Sequence, residues 1–490
     1  MNFFAPLPPR PVTLPPSEVD RRFTFLRYRQ VAVMLVVYAL FYVCRLAFSA
    51  TKKTLIEQNV YSATEIGYVG AAMLWAYAIG KIVNGFLADH ANVKRFVGFG
   101  LFVTAFANML VGFQMPAVVL IGVWFVNGFA QASGAPCCVV SLSRWFAKKE
   151  RGTFYGIWSC SNNLGEAIAY VLTSVVMVNV AKFYGVDWGW RSGFWGAAFC
   201  GFVGIGLIAM FFKDSPESEG LPPVAVWKNE PIDSGEKAAA GDVKKGQRLA
   251  FSNWAVWMIA LSGGLFAASR YAIIDWGIFF LEVKKGYPNT TAASIITLNS
   301  IVGAVSSFFS GIISDRFFKG SRNELALIAG IMNVTGLSLM MFVPGQHMWV
   351  DVTAMVLFGL AVGILLTFLG GLMAVDLVPR IAAGAALGIA GLGNYIGAGL
   401  QSIVSGYLIR KLPATVQTLS DGTKLLADGS KLLKNGEWIG AGGESLNRFF
   451  DTTVNLFGSS VTIDWIAVFW IGMALTSVLC ALSVWRKRPQ

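Results

Sequence analysis

Charged side chains are scarce in this chain, making up 13% of its 490 residues against 55% hydrophobic, at a mean hydropathy of +0.59. So few charges cannot cover a water-soluble surface, which excludes a soluble multidomain protein. Histidine is almost missing: His90 and His347 are the two present, neither at mid-membrane depth, and a histidine-based active site has little to work with. The six cysteines, Cys44, Cys137, Cys138, Cys160, Cys200 and Cys480, all fall in apolar runs without zinc or redox spacing and read as small core residues. No nucleophile with a neighbouring base suggests hydrolysis, so the sequence predicts no enzyme, no cofactor and no metal.

The formal charge of +12 does not form a stripe or patch that would fit nucleic acid. Lys and Arg lie instead at the ends of apolar segments, as topology signals. Arg10, Arg21, Arg22, Arg27 and Arg29 precede the first apolar run with no small-residue cleavage site behind it, and Arg486, Lys487 and Arg488 close the chain. Both ends are therefore expected in the cytoplasm, with an even number of spans in a bilayer, most simply a bacterial inner membrane. Glycine (53) and tryptophan (16) are abundant, which suits close helix approach and interfacial anchoring.

Hydropathy and charged breaks predict twelve spans near 30–50, 64–88, 96–114, 117–143, 153–181, 191–212, 254–282, 291–315, 324–344, 349–377, 383–409 and 462–485. The expected organisation is a cytoplasmic segment 1–29, a six-helix half 30–212, a proline-bearing cytoplasmic linker 213–250, and a second six-helix half 251–490. A polar insert at about 411–461 separates the last two spans on the outside. Its tandem Asp421-Gly-Thr-Lys-Leu-Leu426 and Asp428-Gly-Ser-Lys-Leu-Leu433, followed by Asn435-Gly436, predicts either a short amphipathic helix or a decorated loop, with an external partner surface as an alternative.

The halves resemble each other. Gly85-Phe-Leu-Ala-Asp89 follows Arg45 by 40 residues, and Gly311-Ile-Ile-Ser-Asp315-Arg316 follows Arg270 by 41. Gly156-Ile157, Asn162 and Gly165 of the fifth span match Gly388-Ile389, Asn394 and Gly397 of the eleventh at an offset of 232. Duplicated halves meeting at a midplane site are how many secondary transporters are built. In the two loop motifs glycine would let helices pack tightly, while Asp89 and Asp315 would pair with basic groups or a helix end, a gating device rather than a substrate site.

Arg45 lies about fifteen residues into the first span and Arg270 equally deep in the seventh; an intramembrane Arg costs at least ~3 kcal/mol and should face a polar cavity, not lipid. Two guanidinium forks from opposite halves match a phosphate dianion or a carboxylate. Tyr38, Tyr42 and Arg45 share a helical face at i, i+4, i+7, and Tyr77 with Lys81 form a similar pair in the second span. Asn162, Asn163 and Tyr395 complete the candidate polar lining. Lys81 sits one turn from Gly85, where it either joins the site or snorkels.

Arg151-Gly152 with Trp158-Ser-Cys-Ser-Asn162-Asn163-Leu164-Gly165 resembles the fifth-helix signature of the organophosphate:phosphate antiporters, Arg-Gly-x5-Trp-Asn-x2-His-Asn-aliphatic-Gly-Gly, and the loop motifs resemble those of the major facilitator superfamily. Tyr42-Val-Cys-Arg45, Lys149-Glu-Arg-Gly152, Gly220-Leu-Pro-Pro223, Arg270-Tyr-Ala-Ile-Ile-Asp275-Trp276 and Ala383-Gly384 fall in matching order, leaving only the insert outside. Hexose-phosphate transporters and their receptor-like relatives are the nearest match.

The resemblance implies an all-α major facilitator fold and exchange of a sugar phosphate, most simply a hexose 6-phosphate, for inorganic phosphate. Arg45 and Arg270 would anchor the phosphate with Lys81 in support. Glycerol 3-phosphate or phosphoglycerate exchange is an alternative, lowered by Met373 where a glycerol-phosphate carrier would have histidine. Another is a sugar-phosphate receptor signalling to a membrane sensor kinase. The sequence departs from the signature at Ser159, Asn162 and Glu166, and has Leu46 where a basic residue often follows the first arginine. Asn162 can bond a phosphate but cannot change charge. Glu166 would either lower the positive charge of the cavity or serve as a proton-linked coupling residue.

Overall fold

The computed structural model describes residues 4–228, 248–318, 323–369, 373–378 and 383–409, then 415–419, 423–426, 429–433, 438–439, 445–446, 451–456 and 459–484. Among the described residues, twelve helices are long and apolar enough to cross a membrane. The first half holds Pro16–Glu57, Ala63–His90, Val93–Val111, Ala117–Gln131 continued as Gly134–Trp145, Lys148–Tyr184 and Val186–Phe211. The second holds Trp254–Lys284, Asn289–Phe317, Asn323–Phe342, Met348–Thr367, Ala383–Tyr407 and Trp465–Ser483. In chain order these are the first to twelfth spans. An even number returns both chain ends and the linker to one face, the terminal face, and leaves the insert on the opposite, far face.

Local chemistry sets the helix ends. Ser62 and Glu65 form a reciprocal capping box at the second span, and Asn92, Asn253 and Asp464 cap the third, seventh and twelfth through their side chains. The fourth span breaks after Gln131 because Pro136 has no N–H to offer the carbonyl one turn back. A loop is predicted between the fifth and sixth spans, but a single residue joins them: Gly185 at φ +94, a conformation that L side chains avoid.

The first helix begins at Pro16, well ahead of the predicted span, so Arg21, Arg22, Arg27 and Arg29 are helical while Arg10 lies before it. Arg27 is more than a topology charge: it is buried, pairs with Glu150 at 2.7 Å and lies against the rings of Tyr28, Phe146 and Trp227. The start of the linker folds onto the first half. Buried Asp214 accepts from Arg144 Nη1 and Val93 N, both at 2.8 Å, and Trp227 stacks on Phe23 at 4.2 Å. Residues 229–247 of the linker lie outside the described residues.

The insert contains strands where the leucine spacing suggested an amphipathic helix. Strands β1 (Thr415–Thr418), β2 (Lys424–Leu426), β3 (Lys431–Leu432), β4 (Trp438–Ile439) and β5 (Ser445–Leu446) pair in sequence order, each antiparallel to the next, followed by a hairpin of β6 (Asp451–Leu456) and β7 (Ser459–Asp464). The two Lys-Leu repeats face each other, Lys424 opposite Leu432 and Leu425 opposite Lys431. The physical reason is the glycine. Seven residues make one short strand and one turn, and Gly429 at φ +79 supplies the left-handed residue between β2 and β3. Asp421, Gly422 and Asp428 lie outside the described residues, as do Asn435 and Gly436.

The halves meet along the first and seventh, second and eleventh, and fifth and eighth spans. Toward the far face these contacts are close. The Tyr68 and Tyr407 hydroxyls hydrogen bond, Asn289 Nδ2 donates to Ala50 O at 3.1 Å, and Lys53 pairs with Glu282 at 3.7 Å. Just beyond the seventh span, Lys285 and Tyr287 bind Asp351 in a buried cluster. Burial pushes the Lys285 ammonium below the usual lysine pKa, while Asp351 pulls the other way. Near the terminal face, a Cβ at Gly85, Gly388 or Gly391 would meet nothing within 4 Å. Among the described residues, the close contacts between the halves thus gather toward the far face.

Candidate functional site

Arg45 and Arg270 enter the cleft from the two central helices of opposite halves, each 8% exposed. Arg45 Nε donates to Gln131 Oε1 at 2.7 Å, and its guanidinium lies over Tyr77 at 4.4 Å and Tyr42 at 4.8 Å. Each such ring contact contributes ~0.5–2 kcal/mol toward keeping a cation in a dry place. Arg270 Nη2 donates to Glu166 Oε1 at 3.3 Å, and Ser300 Oγ donates to Glu166 Oε2 at 3.1 Å. Tyr42, Tyr271 and Glu166 each lie within electrostatic reach of both arginines. The two guanidiniums therefore share one lining.

The predicted neighbours divide into liners and packers. Tyr77 faces Tyr395 at 5.0 Å across the halves, and Lys81 Nζ, one turn nearer the terminal face, stands 5.6 Å from the Tyr395 ring. Tyr38 shares its face with Tyr42, 5.6 Å away, packs on Trp158 at 4.9 Å and lies within electrostatic reach of Arg45 and Tyr77. Asn163 is buried beside Gly303 of the eighth span, and the buried Asn162 Oδ1 has no partner among the described residues. Glu166 touches Arg270 directly, across the interface.

The loop motifs are only partly visible. Gly85 is no packing contact in this conformation, since a Cβ there would meet nothing within 4 Å, against the tight helix approach predicted for it. Arg316 is exposed. The side chains of Asp89 and Asp315 and the surroundings of Gly311 lie outside the described residues, as do the side chains of Arg151 and Ser159 and the whole of Lys319.

Three contributors escaped sequence reasoning. Gln131, 1% exposed, follows Asn127 by one turn, and a polar pair at i, i+4 inside an apolar span was a readable signal. Tyr271 sits beside Arg270 in the sequence. Ser300 had no local signal, because its relevance depends on the fifth and eighth spans packing together.

Chemically, the lining offers two buried planar cations, one flexible ammonium, several aromatic hydroxyls and one carboxylate. Desolvated guanidiniums bind a tetrahedral or planar oxyanion through paired, charge-assisted hydrogen bonds. No group of three or more His, Cys, Asp or Glu able to hold a metal occurs among the described residues.

The profile of the Major Facilitator Superfamily matches residues 34–402. The chain is 30% identical over 400 residues to the Membrane sensor protein UhpC of Salmonella typhimurium, covering 80% of this chain and 87% of that protein. It is 30% identical over 425 residues to the Glycerol-3-phosphate transporter of Bacillus subtilis, covering 84% and 92% respectively. A Probable hexose phosphate transport protein of Chlamydia pneumoniae is 28% identical, with coverage of 78% and 84%. Among solved structures, a bacterial homolog of the human lysosomal transporter Spinster superposes with a TM-score of 0.64 at 16% identity, covering 78% of this chain and 82% of that one. This integral membrane protein belongs to the Major Facilitator Superfamily and, within it, to the organophosphate:phosphate antiporter family.

Proposed function

We propose that the protein exchanges a sugar phosphate, in the first place a hexose 6-phosphate, for inorganic phosphate across a bacterial inner membrane, with both termini cytoplasmic. The observation that carries this reading is the pair of buried arginines, one from each half, facing a shared tyrosine-rich cleft. A phosphate bridging them gives the two arginines one shared counter-ion, and so favours closure around the anion. Lys81, exposed toward the terminal face, draws the anion in. Tyr42, Tyr77, Tyr271 and Tyr395 give the sugar hydroxyls donors and ring faces.

Alternation then requires the far-face contacts to open as the terminal face closes. Asp89, Asp315 and Arg316, at terminal-face ends of the second and eighth spans, are proposed to latch that closed form.

A second reading is favoured by the resemblance to a membrane sensor: a receptor with the same site that signals to a membrane kinase. Counterflow of radiolabelled phosphate in proteoliposomes, against hexose 6-phosphates, glycerol 3-phosphate and phosphoglycerates, separates them. Exchange with a hexose 6-phosphate supports the transporter; tight binding without exchange supports the receptor; exchange only with the three-carbon esters reassigns the substrate.

A further inference from the structure

Glu166 belongs to the fifth span, yet both of its hydrogen-bond partners lie across the interface, Arg270 on the seventh and Ser300 on the eighth. Its side chain is 2% exposed. The charged and titratable groups around it are Arg270 and Tyr271 from the seventh span, Arg45 and Tyr42 from the first, and Tyr170 one turn along its own helix. The sixth span, packed on its other side, carries its charges, Asp187 and Arg191, in its first two turns near the far face. Arg270 thus has one amino group already committed to a carboxylate, while its Nε has no partner among the described residues. A phosphate that takes the whole guanidinium fork must displace Glu166.

We propose that Glu166 is a proton-binding site coupled to substrate: the incoming phosphate takes Arg270, and the released carboxyl takes a proton from water in the cleft. The proposal rests on the cleft being a phosphate site. An ionised carboxylate stripped of its cation inside a protein costs several kcal/mol, and a bound dianion beside it adds like-charge repulsion. Once protonated, it is a neutral group that Ser300 can still satisfy. No covalent bond of the substrate changes; one proton moves from solution to a Glu166 oxygen. When the anion leaves without replacement, the proton leaves too and Glu166 refastens to Arg270 and Ser300, tying the halves together. That contact disfavours reorientation of the empty protein and so favours exchange over net transport.

The test is calorimetric titration of the purified protein with glucose 6-phosphate at about pH 7.5, above the second ionisation of a phosphate ester at ~6. Buffers of different protonation enthalpy give the proton count, repeated for Glu166→Gln and Ser300→Ala. The wild type should take up about one proton per anion, its affinity rising up to about tenfold per unit fall in pH while the ester stays dianionic. Glu166→Gln should bind at least as tightly, with no proton uptake and a flat pH profile. Ser300→Ala should bind with the pH midpoint displaced, which decides the matter even if Glu166→Gln fails to fold. Wild-type binding without proton uptake, or equal uptake in Glu166→Gln, overturns the proposal while leaving the phosphate site standing. Failure of the wild type to bind any phosphate ester removes the underlying site instead.

Discussion

Lys52 Nζ and Asp275 Oδ1 face each other at 4.0 Å across the two halves, with the lysine 1% exposed and resting on the Trp276 ring at 4.0 Å. The ammonium makes no hydrogen bond among the described residues. The pair is therefore held by charge and burial rather than by a good hydrogen bond.

Removing only the acid leaves a buried cation without its counter-ion, which typically costs ~3–5 kcal/mol, whereas replacing both partners with apolar groups of similar volume is often near neutral. Asp275→Asn should therefore lower the unfolding temperature clearly, and Lys52→Met added to it should restore much of the loss. Thermal unfolding of the purified single and double variants checks this. Equal, additive losses would mean that the two residues do not sense each other.

The arginine in the first half depends on a neighbour that no motif announced. Gln131→Leu removes the acceptor of the 2.7 Å bond from Arg45 Nε, and a hydrogen bond to a charged group is worth ~1.5–3 kcal/mol. Phosphate affinity should fall by roughly tenfold or more, since 1.4 kcal/mol is tenfold. Gln131→Glu keeps an acceptor but neutralises Arg45, and should weaken phosphate binding at least as much. Tight binding by Gln131→Glu would show that Arg45 does not meet the anion.

The insert can be trimmed only with regard to its ends. Asp464, at the end of β7, caps the twelfth span by accepting from Ile466 N at 3.1 Å and also pairs with Lys284. Deleting 415–446 while keeping the β6–β7 hairpin should leave membrane insertion and exchange intact, since strands outside the packed spans tolerate loss. Extending the deletion through Asp464 should destabilise the last helix. Proteoliposome exchange and thermal unfolding of the two deletions distinguish these outcomes; lost binding in the shorter deletion would make the sheet part of the far-face mouth.

What the sequence made legible follows from how each signal is encoded. The repeat offset of 232 is visible in space as well: a Cβ on Gly165 would strike the Ala39 carbonyl and Tyr42, and one on Gly397 would strike the Gly264 carbonyl. The fifth span thus packs on the first as the eleventh packs on the seventh. Buried arginines were legible because a charge deep in an apolar run is too costly to keep unless it faces a polar cavity or a partner. Ser300 was harder to read because small polar groups in membrane helices are common, and Gln131, though marked by its pairing with Asn127, has a partner that only helix packing sets. The insert misleads because leucine spacing of seven fits both a helix stripe and a strand-and-turn repeat, and the Asp-Gly pairs are what favour the second.

The strongest test returns to the two guanidiniums. Arg45 already spends its Nε on Gln131, and Arg270 one Nη on Glu166, so the remaining N–H groups point a limited, planar set of donors into the cleft. Lysine keeps the charge but presents a point ammonium on a flexible stem, which cannot hold Gln131 and a phosphate together at position 45, nor offer at position 270 the planar fork that a phosphate takes over from Glu166. Arg45→Lys and Arg270→Lys should each lose most exchange, and each loss in phosphate affinity should exceed the ~1.5–3 kcal/mol of a single charge-assisted bond, because Gln131 is left unmatched in the first and the phosphate loses a paired, planar contact in the second. Arginines that merely hold helices together predict the reverse: poor folding, with wild-type affinity in whatever protein survives. Phosphate and glucose 6-phosphate affinities of both purified variants, with thermal unfolding as the check on folding, separate the two. Folded variants that bind phosphate as the wild type does would remove the two-arginine site, and with it the physical basis for reading this cleft as a phosphate exchanger.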